Sequence, residues 1–574
     1  MSNYKNFKTV VYIPAGIAVR MTPEKLESDY NFISRYLKID KVYLETFRDV
    51  TVSPEQYLMI KHWLEGKGIE VAGGITTVNR VGQPDDRDRL FGTMCYTDPG
   101  MRTLVKEIAE YTAGLADEII LDDFFFTNCT CPSCIAAKGD KTWPEFRKEL
   151  MLDVSENLII GPARKVNPNV RITIKYPNWQ ESFYRTGYVP GEQRKLFDMI
   201  YTGTETRHPR YTDQRLPEYL SYALMRWVEN VWPEHNGGGW IDTFSCWSTD
   251  RYLEQILLTA LARPKEIMFF MWDLLVDNRF TCPAGYILEQ ADEILSAAGK
   301  PAGIPVYIPI DSHGEDHLAM RLGMQGIPVE MTPDFPDGSG LVILTEASLC
   351  DKDVMDKLRE FVKDGGTAAV SSGFVRNCDK DAWDELSDVE VTGSKISVTR
   401  YQITDSESGF IEGQAPCLFP EINHANNASW SLLNGGDGDY HCPLFIKSPY
   451  GKGRIYTLAV PDDPQDIARI PQDAFRQIKK VLNTGGIYTE GKNVSLFRFD
   501  DGTIVIYKYV KEDNHAACVT VHSMREASCL RDKKTGKEYA FTKKDEVFDL
   551  KMQADYSTEV LIEPGIPMVF EVVY

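Results

Sequence analysis

Four cysteines form the most compact group of reactive side chains in this 574-residue sequence. Cys129, Cys131 and Cys134 lie within six residues of one another, and Cys95 lies upstream as a candidate fourth ligand. Thiolates suit Zn²⁺, and four of them leave no coordination position open for a substrate. The spacing therefore predicts a structural Zn²⁺ site. Buried thiols without a metal, or a redox pair of Cys129 and Cys131, are the alternatives.

A second group of reactive residues consists of carboxylates that follow predicted β-strands. Two carboxyl groups about 5–5.5 Å apart can cleave a glycosidic bond with retention, because one attacks the anomeric carbon and the other protonates the leaving oxygen. The candidates are Glu45, Asp122, Asp123, Glu205, Asp242 and Asp273. The cations and aromatic rings that a sugar pocket needs stand near them in the sequence: Arg48, Lys175, Trp179, Arg207, His208, Trp240 and Trp272.

Eight alternating strand and helix segments in the first 300 residues would position these groups. The predicted strands are 9–14, 41–47, 69–76, 118–124, 171–176, 198–203, 240–245 and 266–272. Thr22, Ser53 and Asp98 each precede a proline at a predicted helix start, as N-cap residues do. Eight such units predict a (β/α)8 barrel, whose reacting groups lie at the carboxyl ends of the strands. No Gly-x-Gly-x-x-Gly follows the first strand, which disfavours an open dinucleotide-binding sheet.

Two further domains are predicted after a segment rich in Gly and Pro at 298–303. Strands at 306–310, 340–344 and 367–371 alternate with helices, which indicates a small α/β domain. From about residue 493, apolar and polar residues alternate, and Asp501-Gly502 separates two strand segments. This pattern predicts an all-β sandwich at the C-terminus, so the predicted domains are 1–300, 301–488 and 489–574.

The cysteine motif and the domain order resemble those of glycoside hydrolase family 42, the β-galactosidases. In that family a C-x-C-x-x-C motif follows the fourth barrel strand and an earlier cysteine completes a zinc site; CTCPSC at 129–134 and CYTDPGMR at 95–102 stand in similar places. The segment at 341–372 resembles the family's second domain. The resemblance implies an α/β fold: a TIM barrel, an amidotransferase-like (flavodoxin-like) domain and a C-terminal β-sandwich. It also implies structural zinc and assembly into a homodimer or homotrimer.

The family's catalytic residues do not carry over to this sequence. Asp122-Asp123 stands where the family's fourth strand ends in Asn-Glu, and the seventh strand offers Asp242 in place of a nucleophilic Glu. The favoured pairing uses Asp123 on strand 4 as nucleophile and Glu205 on strand 6 as acid/base, similar to α-galactosidase and α-fucosidase barrels. The other pairing uses Asp123 as acid and Asp242 as nucleophile.

Two local expectations accompany these pairings. Side chains alternate along a strand, so only one of Asp122 and Asp123 is expected to face the barrel mouth, and Asp123 is the preferred one. Arg207 stands two residues after Glu205 and is expected to lower the pKa of that carboxyl group. The remaining carboxylates, cations and aromatic residues named above are expected to bind the substrate.

Composition and charge narrow the classes of function. The chain has 63 Lys and Arg against 84 Asp and Glu, a net charge of −21, which disfavours binding to nucleic acid or to an anionic membrane. No apolar segment reaches the roughly 18 residues of a membrane span, and no signal peptide is recognised, so a cytoplasmic or a periplasmic location stays open. The barrel segment has no His on strand 1, which disfavours a metal-dependent amidohydrolase.

We expect a glycoside hydrolase that removes a terminal sugar from a carbohydrate substrate by a two-carboxylate, retaining mechanism. A catalytically inactive carbohydrate-binding protein on the same scaffold is the alternative, because it too would lack the family's Glu pair. Amidotransferase activity is not expected, since no Gly-x-Cys-x-Gly surrounds Cys350.

Overall fold

A closed ring of eight parallel strands forms the first part of the chain. The computed structural model describes residues 4–81, 89–338, 340–404, 409–424, 428–483, 486–511, 514–549 and 551–574. The ring consists of β1 (Lys8–Ile13), β2 (Lys41–Arg48), β3 (Glu70–Ile75), β4 (Glu118–Leu121), β5 (Arg171–Tyr176), β6 (Met199–Gly203), β7 (Asn236–Asp242) and β8 (Glu266–Phe270). Each strand pairs in parallel with the next, and β8 pairs with β1. The predicted TIM barrel is confirmed.

Helices surround this ring and connect its strands. The longer ones are Pro23–Ile33, Pro54–Gly66, Pro99–Ala113, Pro132–Lys138, Trp143–Val154, Gly161–Val166, Leu220–Val231, Thr249–Leu261 and Asn278–Ala297, and short ones lie at Ala15–Ala18, Phe183–Thr186, Pro190–Gln193 and Trp272–Leu275. The side chains of Thr22, Ser53 and Asp98 each accept a hydrogen bond from the amide three residues later. These predicted N-caps are therefore present, and each contributes about 1 kcal/mol to helix stability.

Large side chains fill the interior of the ring. The buried cluster there consists of Val10, Tyr12, Tyr43, Ala72, Ile120, Tyr201, Trp240 and Met268. The ring of Tyr12 lies 4.8 Å from that of Trp240, centre to centre. Because this interior is packed, a substrate must approach the barrel at its mouth, where the carboxyl ends of the strands meet the loops.

The seventh strand begins earlier than the sequence predicts. The prediction starts at Trp240, whereas β7 starts at Asn236 and includes three glycines. A Cβ at Gly238 would lie 2.1 Å from the carbonyl oxygen of Glu266, and a Cβ at Gly239 would lie 2.3 Å from Thr259 Cγ2. Glycine normally weakens a strand, but here the close approach of neighbouring atoms requires it.

Residues 297–574 form a second compact unit that begins with a mixed sheet of nine strands. Its parallel half has the spatial order Val329–Thr332, Ile304–Tyr307, Leu341–Leu344, Thr367–Ser371 and Gly453–Leu458. Its antiparallel half continues with Tyr440–Tyr450, Trp430–Asp437, Val389–Ile403 and Ile411–His424. The associated helices are Leu318–Gly323, Val354–Lys363, Ser372–Asn377, Lys380–Leu386 and Gln472–Leu482. The predicted α/β region after the barrel is confirmed.

Two smaller antiparallel sheets complete the second unit. One contains Pro301–Ala302, Val494–Phe499, Thr503–Lys508, Met568–Val573, Cys529–Asp532 and Glu538–Ala540, and the other contains Ile487–Glu490, Ala517–Ser523, Lys551–Ile562 and Thr542–Phe548. One buried cluster draws side chains such as Leu496 and Val521 from both sheets, as in a β-sandwich. The compact units divide between Ser296 and Ala297, and the boundary at 488 stays a prediction. Within the described ranges, every helix is too short or too polar to cross a bilayer.

Candidate active site

A cavity of about 1170 Å³ opens at the carboxyl ends of the barrel strands. Nine of the residues predicted from the sequence line it: Arg48, Asp122, Asp123, Lys175, Trp179, Glu205, Arg207, Trp240 and Asp242. Pockets for small ligands measure roughly 300–1,000 Å³. The cavity therefore has room for a sugar together with part of the group to which it is bonded.

The ammonium group of Lys175 lies among the carboxyl groups of this cavity. Lys175 projects from β5 and is 1% exposed. Its Nζ lies 2.8 Å from Asp123 Oδ2, 2.8 Å from Glu205 Oε1 and 3.7 Å from Asp122 Oδ1. Its Nζ also lies 4.1 Å from the centre of the Trp240 ring. One buried positive charge therefore brings together three carboxyl groups from two strand ends.

Both Asp122 and Asp123 reach the cavity, in contrast to the expectation that only one of them faces it. Since β4 ends at Leu121, the two residues belong to the turn after the strand, where strand alternation no longer applies. The amide of Asp123 donates to Asp122 Oδ1 at 2.7 Å, and the Tyr188 hydroxyl donates to the Asp123 carbonyl at 2.6 Å. These bonds hold the turn so that both carboxyl groups face Lys175.

Glu205 is buried two residues after the end of β6. The strand ends at Gly203, where a Cβ would lie 2.7 Å from Glu205 Oε2, so glycine provides the room for this carboxyl group. Asn178 Nδ2 donates to the Glu205 carbonyl at 2.7 Å, and Gln214 Nε2 donates to Asn178 Oδ1 at 3.0 Å. Glu205 Oε2 is buried and has no hydrogen-bond partner among the described residues, so it retains its capacity to accept one.

Burial raises the pKa of both carboxyl groups that contact Lys175 most closely. Desolvation raises the pKa of Asp123 from 3.8 to about 7, and the charges of Asp122 and Glu205 add to this rise while Lys175 opposes it. Desolvation also raises the pKa of Glu205, and Lys175 again opposes the change. The site therefore holds a carboxyl group that can carry a proton near neutral pH.

Arg207 pairs with Asp242. It acts to lower the pKa of Glu205, as expected from the sequence, but the net pKa of this carboxyl group is raised. Arg207 Nη2 lies 2.8 Å from Asp242 Oδ2, and the amide of Phe244 donates to Asp242 Oδ1 at 3.0 Å. Desolvation of Glu205 outweighs the attraction of Lys175 and Arg207, because this carboxyl group is buried.

Arg48 connects Asp122 to Glu45, which lies beneath the cavity. Arg48 Nη2 is hydrogen-bonded to Asp122, and Arg48 Nε lies 3.1 Å from Glu45 Oε1. Glu45 is fully buried and accepts hydrogen bonds from the Tyr12 hydroxyl at 2.8 Å and the Ala15 amide at 2.6 Å. Glu45 is therefore placed to hold Arg48 from below, and it does not line the cavity as a substrate-binding residue would.

A second effect of Arg48 is electrostatic. Desolvation acts to raise the pKa of Asp122, but the charges of Arg48 and Lys175 outweigh it and lower this pKa below its ordinary value. Asp122 is therefore ionised in the range in which Asp123 takes up a proton.

Besides Glu45, three predicted substrate-binding residues do not line the cavity: Trp272 and Asp273, because β8 ends two residues before the prediction, and His208, which lies in the loop after β6. A short helix begins at Trp272, whose indole is buried and donates to Asp29 Oδ2 at 3.1 Å. Asp273 lies in the first turn of this helix. The ring of His208 packs against Tyr211 with their centres 4.5 Å apart.

The sequence interpretation misses several residues of the cavity: Phe91, Phe124, Asn178, Tyr211, Gln214, Phe244 and Phe270. Phe270 is the last residue of β8, and its ring centre lies 5.5 Å from that of Trp240. With correct strand bounds, the rule that reacting groups lie at strand ends would have identified Phe270 and Asn178 as residues of the site. The same rule would have found Phe244, two residues after the end of β7. Tyr211 lies in the long loop between β6 and the helix Leu220–Val231, and its spacing in the sequence carries no signal for the site.

The predicted cysteine cluster is present, and its geometry suits a metal ion. The sulfurs of Cys95, Cys129, Cys131 and Cys134 are buried and lie within 4.8 Å of one another. Cys95 Sγ lies 3.7, 3.6 and 3.8 Å from the sulfurs of Cys129, Cys131 and Cys134 respectively. Sulfurs at a bond length of roughly 2.3 Å around a tetrahedral ion lie about 3.8 Å apart. These separations exceed the roughly 2.05 Å of a disulfide bond, so the cluster could hold a metal ion and contains no disulfide.

Comparison with known proteins relates the two units to described domains. Residues 1–283 match the family model described as the catalytic domain of a probable glycosyl hydrolase. Residues 299–463 match the model of the second domain of the uncharacterized protein SSO3021. SSO3021 from Saccharolobus solfataricus is 25% identical over 502 residues, which cover 79% of this chain and 82% of that protein.

Solved β-galactosidase structures share the fold along the whole chain. The cold-adapted β-galactosidase from Rahnella sp. R3 aligns with a TM-score of 0.65 at 12% identity, covering 100% of this chain and 99% of its own. A catalytic mutant of Gan42B, a family 42 β-galactosidase from G. stearothermophilus, aligns with a TM-score of 0.62 at 12% identity and the same coverage. The chain thus resembles family 42 β-galactosidases in fold and cysteine motif while its strand-end carboxylates differ, and its barrel matches a probable glycosyl hydrolase catalytic domain, which supports glycosidase function.

Proposed function

We propose that this protein is a retaining glycoside hydrolase that removes a terminal sugar, with Asp123 and Glu205 as its catalytic carboxyl groups. The observation that carries the proposal is their common contact with Lys175, because each has an oxygen 2.8 Å from the same nitrogen. These two oxygens are therefore no more than twice this distance apart. The carboxyl groups of retaining enzymes lie about 5–5.5 Å apart, whereas those of inverting enzymes lie about 6.5–9.5 Å apart.

Exposure and protonation assign a role to each group. The side chain of Asp123 is 22% exposed and its pKa is about 7, so it can carry a proton near neutral pH and meet a leaving oxygen. The side chain of Glu205 is 3% exposed and lies against Lys175. We therefore assign Asp123 as the acid/base and Glu205 as the nucleophile, which reverses the roles favoured by the sequence.

The proposed reaction has two displacements at the anomeric carbon. Glu205 attacks this carbon while Asp123 gives its proton to the leaving oxygen, so an ester to the enzyme forms and an alcohol leaves. Asp123 then takes a proton from water, the water oxygen attacks the same carbon, and the Glu205 carboxylate is released. Two inversions retain the configuration. The ion pairs Arg207–Asp242 and Arg48–Asp122 supply donors and acceptors for the sugar hydroxyls.

Azide rescue tests these roles. A panel of 2,4-dinitrophenyl glycosides of both anomeric configurations first identifies a sugar that the wild type hydrolyses. Glu205→Gly with azide should then release a glycosyl azide of inverted configuration, because azide replaces the nucleophile in a single displacement. Asp123→Gly with azide should release one of retained configuration, because azide attacks the ester. If Glu205→Gly gave the azide of retained configuration and Asp123→Gly the inverted one, the two roles would have to be exchanged. An inverted product from the wild-type enzyme would contradict the mechanism.

A control variant and a comparison of sugar binding with hydrolysis complete this test. Asp250→Asn is the control, since Asp250 is exposed at the start of the helix Thr249–Leu261, and this variant should retain the wild-type rate. Binding of sugars without hydrolysis of any glycoside in the panel would favour the inactive carbohydrate-binding protein instead.

We also propose that the four cysteines hold Zn²⁺ in a structural role. Four thiolates suit this ion and leave no open coordination position, and none of the four residues lines the cavity. Elemental analysis of the purified protein should find one zinc per chain. Iron in place of zinc, or a chain that never binds metal, would contradict the proposal.

A further inference from the structure

Lys175 is buried, and neither step of the proposed reaction uses it. The charged groups around it come from the ends of β4 and β6, with two arginines beyond them: Asp122, Asp123 and Glu205 around Nζ, Arg48 between Asp122 and Glu45, and Arg207 on Asp242. A buried ammonium is tolerated only where negative charge compensates it. The number of ionised carboxylates that the Lys175 ammonium must balance therefore determines its role in the site.

The arginine pairs leave two carboxyl groups for one ammonium. Asp242 is bonded to Arg207, and Asp122 is bonded to Arg48. Arg48 also contacts the buried Glu45, whose pKa is raised by desolvation, so that Glu45 takes up a proton more readily than an exposed glutamate. Lys175 then remains as the counter-charge for Asp123 and Glu205, each with an oxygen 2.8 Å from Nζ. This group of three is neutral when one carboxyl group is ionised and the other is protonated, which is the state that a retaining reaction requires at its start.

The equal distances from Lys175 Nζ to Asp123 and Glu205 also suit the distribution of charge after the first step. Before that step the negative charge lies on Glu205 and the proton on Asp123; afterwards the Glu205 charge has been consumed in the ester and Asp123 is ionised. The charge next to Lys175 has thus moved from one carboxyl group to the other without changing in amount. An ammonium in contact with both can balance either state without moving, and the Trp240 ring 4.1 Å from Nζ limits its movement further.

We propose that Lys175 is a positioning residue that keeps the total charge of these two carboxyl groups at minus one, with Glu205 ionised and Asp123 protonated before the first step and Asp123 ionised once Glu205 is held in the ester. The inference rests on the proposed function and assigns Lys175 a role other than contact with the substrate. The pKa directions agree with it. Desolvation acts to lower the pKa of Lys175, but Asp123, Glu205 and Asp122 together raise it, so the ammonium stays charged.

The pH dependence of kcat/KM for Lys175→Met tests the inference. Without the ammonium, the carboxyl group that should be ionised takes up a proton, so the acidic limb of the profile should move upward by at least about one pH unit. The loss of kcat/KM should therefore be about tenfold greater at acidic than at alkaline pH. A loss by the same factor at every pH would mean that Lys175 only fills space, and would overturn the inference.

Lys41→Met is the matched control. Lys41 is 3% exposed on β2 and is paired with Glu118 and Glu266, so it too is a buried lysine between two carboxylates. These three residues begin their strands and therefore lie at the end of the barrel away from the cavity. Lys41→Met should lower stability while the pH limbs stay in place. If it moves the acidic limb as much as Lys175→Met does, the effect is not specific to the site.

Rescue by a small amine tests whether charge or shape matters. Lys175→Ala removes the stem and the ammonium, and propylammonium added to the buffer can replace both. Propylammonium should return the acidic limb toward the wild-type position, whereas propan-1-ol, which has a similar shape without the charge, should not. Equal rescue by both compounds would overturn the inference. Circular dichroism of the variant establishes that it is folded.

A measurement without turnover separates this inference from the proposed function. Infrared titration, with Asp123→Asn to identify its band, follows protonation of the Asp123 carboxyl group directly. Lys175→Met should raise the midpoint of this band by at least about one pH unit. A shifted midpoint in a protein that hydrolyses no glycoside would contradict only the proposed function. Hydrolysis in a protein whose midpoint is unchanged would overturn only the role of Lys175.

Discussion

The proton on Asp123 determines how strongly the rate should depend on the leaving group. An Asp with its usual pKa of 3.8 is protonated in roughly one molecule in a thousand at pH 7, whereas a pKa of about 7 makes the protonated fraction about one half. This shift of roughly three pKa units makes the acid form several hundredfold more abundant at neutral pH than in an ordinary Asp. Burial is the main cause of the shift, and it also raises the pKa of the neighbouring Glu205.

Asp123→Asn removes this proton and nearly preserves the shape of the side chain. A sugar or methanol leaving group must be protonated as it departs, so kcat/KM should fall by roughly 10²- to 10⁴-fold. Dinitrophenolate is stable as an anion and leaves without a proton, so kcat/KM for the 2,4-dinitrophenyl glycoside should fall less than about tenfold. The alkaline limb of the wild-type profile, near pH 7, should be absent from the variant.

The assay compares kcat/KM for the two leaving groups between pH 4 and pH 9. An equal loss for both would refute the assignment of Asp123 as the acid. An alkaline limb that persists in Asp123→Asn would show that another group carries the proton. Asp250→Asn serves again as the control for a changed surface charge.

Stability measurements test other parts of the molecule. Cys131→Ser should abolish binding of the proposed Zn²⁺ and lower the melting temperature without moving the pH–rate profile, because a thiolate site contributes folding energy directly; calorimetry and elemental analysis check this. Gly238→Ala should destabilise the barrel by about 1–3 kcal/mol in urea unfolding, because its Cβ would meet the Glu266 carbonyl oxygen. His522→Gln should cost more stability at pH 6 than at pH 9. Desolvation acts to lower the pKa of His522, but the carboxylates of Asp555 and Glu490, 2.8 and 2.7 Å from its ring nitrogens, raise this pKa above its ordinary value. The stability that protonated His522 contributes is therefore lost as the pH rises through the raised value.

The barrel could be predicted because its local signals agree with its fold. Thr22, Ser53 and Asp98 mark helix starts, and short apolar segments mark strands at regular intervals. The ends of strands were harder to predict, because they depend on contacts with other elements. Gly238 belongs to β7 since the Glu266 carbonyl approaches it closely, and no property of the local sequence shows this contact.

The four long antiparallel strands between 389 and 450 have no counterpart among the sequence predictions. Pro416 and Pro420 interrupt the strand pattern, and proline is unfavourable inside a sheet because it lacks a donor. The strand Ile411–His424 lies at the edge of its sheet, where a missing donor is tolerated. Position within the sheet therefore decides the outcome, and this position cannot be derived from the strand's own residues.

The same limit applies to the site. Residue type and position after a strand identify Asp123, Glu205 and Asp242 as candidates, but the partner of each depends on how the loops fold. Arg207 is close to Glu205 in sequence and yet pairs with Asp242. The raised pKa values of Asp123 and Glu205 depend on burial, which appears only in three dimensions.

The contacts of Asp242 favour the strand 4 and strand 6 pairing over the strand 4 and strand 7 pairing that the resemblance implies. Arg207 occupies one oxygen of Asp242 and the Phe244 amide occupies the other, so attack on a sugar would require breaking both interactions. Glu205 has one oxygen on Lys175 and a second without a partner among the described residues. A nucleophile needs an oxygen that is free to form a bond. The fold is thus shared with the β-galactosidases, while the proposed position of the nucleophile has a local cause: Gly203 provides space for Glu205, and Arg207 neutralises the carboxylate at the end of β7.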